Sequence, residues 1–162
     1  MENNELKKMA ELVKDIKFAM LTTVDEDGEL RSRPMATTEI YGEKEIYFFT
    51  EENSGKVYEL DKNRKVNISY VDKDDQVYVS VSGNATHIKD KNKIKELWRP
   101  ALKAWFPKGT EDPNICLLKV DITKAEYWDA PGSKMVRLFG MTKAAITGEP
   151  YKPGENKKIN QL

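Results

Sequence analysis

Two long stretches of the chain alternate apolar and polar residues: QVYVSVSGNATHI (76–88) and NICLLKVDITKAEYWDA (114–130). A side-chain period of two marks a strand with one face buried. The first stretch is long enough to bend, and Gly83 is a natural place for a bulge. Shorter strand-forming runs precede both: FAMLTTV (18–24), EIYFFT (45–50) and KVNISYVD (65–72). DEDGEL (25–30) carries an Asp-Gly turn, Gly42 marks a second turn, and KDD (73–75) a third. The run from Arg31 to Ile40 reads as a strand bent or interrupted at Pro34, leaving backbone groups free around Pro34 and Met35.

Helical spacing appears in four places. ELKKMAELVKDIK (5–17) sets Leu6, Met9, Leu12, Val13 and Ile16 on one stripe. Residues 55–63 read as a short helix preceded by Ser54, a good N-cap type. Residues 90–105 place Ile94, Leu97, Trp98, Leu102 and Trp105 on one side, with a break expected at Pro100. A last helix is expected over 133–147, after Pro131-Gly132. From Gly148 onward the chain is polar with Pro and Gly, which predicts a single domain over 1–147 and a loose tail over 148–162. Most strands follow one another without an intervening helix. That order predicts a mainly β fold, an antiparallel sheet curled into a barrel and decorated by helices; a doubly wound fold needs a helix after nearly every strand.

Charge and rare residues narrow the function classes. The 27 Lys and Arg balance the 27 Asp and Glu, whereas nucleic-acid binding draws on a clustered cationic excess, so no nucleic-acid partner is expected. No apolar run reaches the roughly 18 residues of a membrane span, and none near the N-terminus has signal-peptide length. Cys116 and His87 are each the only one of their kind, which excludes an internal disulfide and argues against a protein-built metal site. A cytoplasmic setting is expected.

The segment YFFTEENSGKV (47–57) stands out, because a strand gives way to a helix through a hydroxyl, a glycine and an ammonium. A helix N-terminus exposes unpaired N–H groups and favours phosphate. Ser54, Gly55 and Lys56, with Thr50 facing the same corner, have the chemistry of a phosphate cradle; an ordinary N-cap followed by a solvated lysine reads equally from these residues. The segment is not a nucleotide P-loop, since Thr50 and Val57 stand where that motif needs glycine and Ser or Thr. Arg31 and Arg33 point to one face of a strand, either into solvent or toward the same phosphate. Trp98 and Trp105 read as core residues or as planar walls for a flat ligand.

FAMLTTVDEDGELRSRPM (18–35), IYFFTEENSGKVYEL (46–60), VSVSGNATHI (79–88) and AWFPKGTEDPNICLLKVDITKAEYWDAPGSKMVRLFG (104–140) together resemble the flavin-binding split barrels related to pyridoxamine 5′-phosphate oxidase. Within them the chain is most similar to the general stress protein 26 group, over roughly residues 5–147. The resemblance implies a six-stranded antiparallel split barrel of Greek-key type, a homodimer, and FMN, less often FAD, at the dimer interface. It implies flavin contacts from Arg31, Ser32, Arg33, Pro34 and Met35, and from Phe49 and Thr50. It also implies phosphate contacts from Ser54 and Lys56, with Trp105 and Trp128 as candidate ring neighbours that the second subunit can contribute. The chain departs from true pyridoxamine-phosphate oxidases, which follow a tryptophan with arginine, one residue and histidine. Here Trp128 is followed much later by Arg137-Leu138-Phe139. Three functions remain open: a flavin-dependent oxidoreductase with an unknown small-molecule substrate, a flavin-binding sensor or store, and a flavin-free barrel dimer. No catalytic residue is assigned.

Overall fold

A computed structural model describes residues 4–38, 40–41, 44–130, 134–150 and 154–160. The two long alternating stretches form β6 (Val77–Ile88) and β7 (Ile115–Asp129), paired antiparallel along their length. Their register slips between Ser82 and Gly83, where the bulge was expected. A Cβ on Gly83 would lie 2.6 Å from the Asp121 carbonyl oxygen and 2.7 Å from Val120 Cγ1, so only glycine fits where the strands approach so closely. Around this pair run β1 (Phe18–Val24), β2 (Leu30–Ala36), β3 (Ile40–Tyr41), β4 (Glu45–Glu51) and β5 (Lys65–Asp72). The order across the sheet is β2-β1-β5-β6-β7-β4-β3, all antiparallel, and the sheet curls into a half-barrel.

The turns follow from local chemistry. Between β1 and β2, Asp25 Oδ1 accepts the N–H groups of Asp27 and Glu29, and Gly28 takes the left-handed φ of 82° that the turn requires. Between β5 and β6, Asp72 Oδ1 accepts from Asp74 and Asp75. Four helices decorate the sheet: α1 (Asn4–Val13), α2 (Gly55–Lys62), α3 (Lys91–Leu97) and α4 (Lys134–Thr147). The helix expected over 90–105 ends at Leu97. Pro100, which cannot continue an α-helix, instead opens a 3-10 turn over Pro100–Ala104. The turn expected at Gly42 and the expected helix start at Pro131-Gly132 lie outside the described residues.

Two corrections concern the strands. The run from Arg31 to Ile40 is interrupted, but not at Pro34: β2 runs through Pro34 to Ala36, paired with Met20 of β1, and the chain resumes as β3 at Ile40 on β4. The segment expected to be a loose tail contains a further strand, β8 (Glu155–Ile159), paired with β7, which brings the sheet to eight strands among the described residues. Its side chains hide this, because Glu155 to Lys158 are exposed and only Ile159 is buried. Backbone hydrogen bonds hold it, helped by ion pairs from Lys8 of α1 to Asp129 and Glu155.

The sheet is buried on both faces where β4 meets β7. Ile46 and Phe48 of β4, with Cys116, Leu118 and Val120 of β7, point into the barrel core. Tyr47, Ile115 and Leu117 point the other way, into a second cluster with Ile94, Leu97 and Phe106. That is why IYFF and ICLL read as unbroken apolar runs.

One polar interior contact ties α2 to the barrel. Glu59 is 5 % exposed; its Oε2 accepts from Thr23 Oγ1 at 2.5 Å and from Arg33 Nη2 at 2.8 Å. Arg33 Nη1 also donates to Thr23 Oγ1 at 2.6 Å, and Arg31 Nη1 reaches Glu59 Oε1 at 3.5 Å. Removing one partner of a buried pair strands the other without a counter-charge. Glu59→Ala is therefore expected to lower unfolding free energy by about 3 kcal/mol. Urea denaturation measures this, and a loss below about 1 kcal/mol would show that the network holds nothing together.

Candidate functional site

The half-barrel is not closed. Strand β2 pairs only with β1, and β3 covers only Glu45 and Ile46 on the outer edge of β4. The gap between these edges is a cleft of about 410 Å³. Pro34, Met35 and Ala36 line it from β2, and Phe49, Thr50 and Glu51 from β4. Proline has no N–H to give to a neighbouring strand, so it is tolerated on an edge such as β2. Phe18, Leu102, Trp105 and Phe106 add apolar walls. Phe49 is itself held in place, edge-on to Trp98 with centroids 6.0 Å apart and tilted against Phe106 at 6.4 Å.

At one end of the cleft, the chain leaves β4 and enters α2. Ser54 stands at the N-cap position, yet its side chain makes no capping bond; its hydroxyl lies 3.3 Å from that of buried Thr50. The first N–H groups of a helix have no partner within it. Lys56, in the first turn, is half-buried and has no hydrogen bond or ion pair among the described residues. Burial, then repulsion from Arg33, holds its ammonium below the usual lysine pKa; Glu51, on the cleft wall, pulls the other way. A cation with no hydrogen bond or ion pair among the described residues, a hydroxyl that does not cap its own helix and the first N–H groups of α2 thus meet beside an apolar slot. This arrangement holds an anionic group attached to a flat apolar body.

The structure gathers Pro34, Met35, Phe49, Thr50, Ser54, Lys56 and Trp105 on this cleft. Arg31, Ser32 and Arg33 do not line it: both arginines are turned onto Glu59, and Ser32 shares a 2.7 Å hydroxyl contact with Thr22. Arg33 still acts on the cleft through its repulsion of Lys56. Trp128 lies on β7 in a separate cleft with Tyr78 and Asn156. Of the walls, sequence reasoning passed over Phe18 and Leu102. Phe18 opens a strand, and its spacing to Met20 was the available signal that it faces outward.

Other candidate groups sit elsewhere. Cys116 is fully buried, and burial pushes its thiol up to about 11. His87 Nδ1 lies 3.4 Å from Asp61 Oδ1, away from the cleft. Among the described residues no group of His, Cys, Asp and Glu could hold a metal ion, and no helix is long and apolar enough to cross a membrane. The side chains of Arg137, Leu138 and Phe139 lie outside the described ones.

Comparison with known proteins places this architecture. A family model described as pyridoxamine 5′-phosphate oxidase like matches residues 4–152. Protein bli-3 of Neurospora crassa is 31% identical over 156 residues, covering 90% of this chain and 74% of that protein. The structure of a general stress FMN/FAD binding protein from Xanthomonas citri superposes with a TM-score of 0.68 at 31% identity, covering 81% of this chain and 93% of that one. A candidate general stress protein 26 from Jannaschia sp. CCS1 shares the fold, with a TM-score of 0.79 at 23% identity over 97% of this chain and 98% of that one. The chain belongs to the pyridoxamine 5′-phosphate oxidase-like family.

Proposed function

We propose that the cleft between β2 and β4 binds a flavin with a phosphorylated tail, FMN before FAD, and that the protein is a flavin-dependent oxidoreductase of the general stress response. The observation that carries this is Lys56: a half-buried cation with no hydrogen bond or ion pair among the described residues, beside a serine hydroxyl that does not cap its own helix. A phosphate supplies the missing counter-charge. The apolar walls fit the flat ring system, and the Xanthomonas citri relative is a FMN/FAD binding protein by name.

In this reading Lys56, Ser54 and the first N–H groups of α2 hold the phosphate. Thr50 supports Ser54, while Pro34, Met35, Phe49 and Trp105 line the ring. Arg31 and Arg33 contribute through their field, fixed by Glu59. A bound flavin supplies hydride and electron transfer, so the chain need only bind, orient and shield it. No histidine lines the cleft, consistent with a site whose chemistry belongs to the cofactor.

The reading extends to a homodimer in the cytoplasm. Val71, Tyr78 and Trp128 lie side by side across β5, β6 and β7 on the outer face of the sheet, and all are exposed. Met20 is exposed on the same sheet in β1, two residues from Phe18 at the cleft. An apolar patch contiguous with the cleft suits a second subunit, and Trp128 would approach a flavin from there.

Lys56→Ala is expected to weaken FMN by about tenfold to a hundredfold while leaving phosphate-free riboflavin nearly unchanged, as titration by flavin fluorescence measures. Equal losses for both flavins would remove the phosphate assignment. The lowered pKa of Lys56 gives a sign as well. As pH rises through it the ammonium is lost, so FMN affinity falls in the alkaline range, earlier than an ordinary lysine would dictate. Lys56→Arg, which stays charged, should flatten that decline.

Diluting the protein until it dissociates is expected to release flavin in step; retention by a monomer in analytical ultracentrifugation would separate the dimer from the site. Oxidation of a reduced nicotinamide, accompanied by cyclic bleaching of flavin absorbance, is the expected activity. Stable binding without turnover across such donors would favour a store or sensor.

A further inference from the structure

Lys56 and Glu59 stand three residues apart on α2, a spacing at which an ammonium and a carboxylate can pair. Lys56 nevertheless has no ion pair among the described residues. Glu59 gives both its oxygens to the barrel instead. Its Oε2 accepts from Thr23 Oγ1 of β1 at 2.5 Å and from Arg33 Nη2 of β2 at 2.8 Å, and its Oε1 from Arg31 Nη1 at 3.5 Å. Arg33 also donates Nη1 to Thr23 Oγ1 at 2.6 Å, so guanidinium, hydroxyl and carboxylate close a ring of three contacts. The ring is interior: Thr23 is fully buried, Glu59 is 5 % exposed and the Arg33 side chain 18 %. Arg31 is held more loosely, with its side chain 66 % exposed and its contact at the limit of hydrogen bonding.

This ring lies behind the phosphate end of the cleft. After burial itself, the charge of Arg33 is what most lowers the pKa of Lys56, while Glu51, Cys116 and Glu59 act in the opposite direction. Two cations thus stand close together at this corner, one from α2 and one from β2. Only Lys56 is left without a counter-charge among the described residues. In a partly buried site a charge acts over several ångströms, because the surroundings screen it less than water does. An unmasked Arg33 would therefore add its attraction to that of Lys56 for any anion held there. Its pairing with Glu59 cancels much of that attraction.

We propose that Glu59 limits the phosphate affinity of the cleft: by taking up Arg33 it leaves a bound phosphate one unpaired cation where α2 and β2 supply two, so that the ligand is held but exchanges. Glu59 does not line the cleft, and it is a positioning residue that acts through Arg33. The identity of the ligand as a flavin rests on the reading above; the masking of Arg33 does not.

The test is a charge cycle, read by fluorescence titration with FMN and riboflavin on wild type, Glu59→Gln, Arg33→Gln and the double variant. Glutamine is close to glutamate in size and still accepts a hydrogen bond, so Glu59→Gln removes the charge and keeps the contact. It is expected to bind FMN about tenfold tighter than wild type. Arg33→Gln, which strands the carboxylate near Lys56, should bind FMN about tenfold weaker, and the double variant should return close to wild type. Riboflavin affinity should not change in any of them, and Glu59→Asp, which keeps the charge, should stay near wild type for FMN. The gain in Glu59→Gln should shrink as ionic strength rises. A Glu59 that only holds α2 in place would instead weaken FMN in every variant; that result, or equal changes for both flavins, would overturn the proposal. If Glu59→Gln melts early, Arg33→Gln against the double variant carries the same sign, because deleting Glu59 must then restore FMN affinity. If wild type binds neither flavin, the flavin reading falls, and inorganic phosphate is titrated into the same four proteins. Alternation of sign with phosphate would keep the limiter, and its absence would remove it.

Discussion

The structure depends on a sheet that does not close. Every strand from β1 through β7 finds neighbours in an unbroken antiparallel ladder, but β2 lies at the edge of the sheet, and the outer side of β4 is paired with β3 only at Glu45 and Ile46. Because β4 is covered by β3 only at its start, its last residues are free to serve as a wall. The chain then leaves β4 directly into α2, which delivers the N-terminus of a helix to the end of the same gap. The second apolar cluster, built under α3 and the 3-10 turn, supplies the remaining side through Leu102 and Trp105. Cleft, helix terminus and aromatic wall are thus consequences of one topological fact.

Electrostatics divides the gap into regions of different purpose. Glu59 neutralises Arg33 inside the protein, so the arginine fixes the position of α2 rather than meeting a ligand directly. Lys56, one turn earlier on that helix, has no such partner among the described residues, and burial, then repulsion from Arg33, lowers its pKa. One short helix thus carries a buried carboxylate anchored to β2 and a cation with no hydrogen bond or ion pair among the described residues.

Much of this could be read from the residues. Period-two alternation in 76–88 and 114–130 announced the two central strands and Gly83 their bulge, whereas Pro34, read as a bend or a break, lies inside the edge strand β2. The joint at Ser54-Gly55-Lys56 was legible because hydroxyl, glycine and ammonium have few reasons to cluster before a helix. What stayed hidden had physical causes. Glu59 looks like one more charged position on a surface helix, and only the fold brings Arg33 and Thr23 against it. β8 is written in exposed charged residues, and its strand character lies in backbone pairing that no apolar pattern reports. Trp105 and Trp128 looked equivalent in sequence, yet one walls the cleft and the other lies on the outer face of the sheet.

An open sheet normally carries a hazard, because two bare edges offer rows of donors and acceptors to any extended chain that drifts by. Here Pro34 removes a donor from the middle of β2, and β3 with the Thr38 hydroxyl, which donates to the Tyr47 carbonyl, occupies the beginning of β4. Neither edge presents a continuous template for strand addition. The gap therefore stays open to small molecules while resisting the runaway pairing that leads to aggregates. The proline that the open edge tolerates thus also keeps that edge from becoming a nucleus for misassembly.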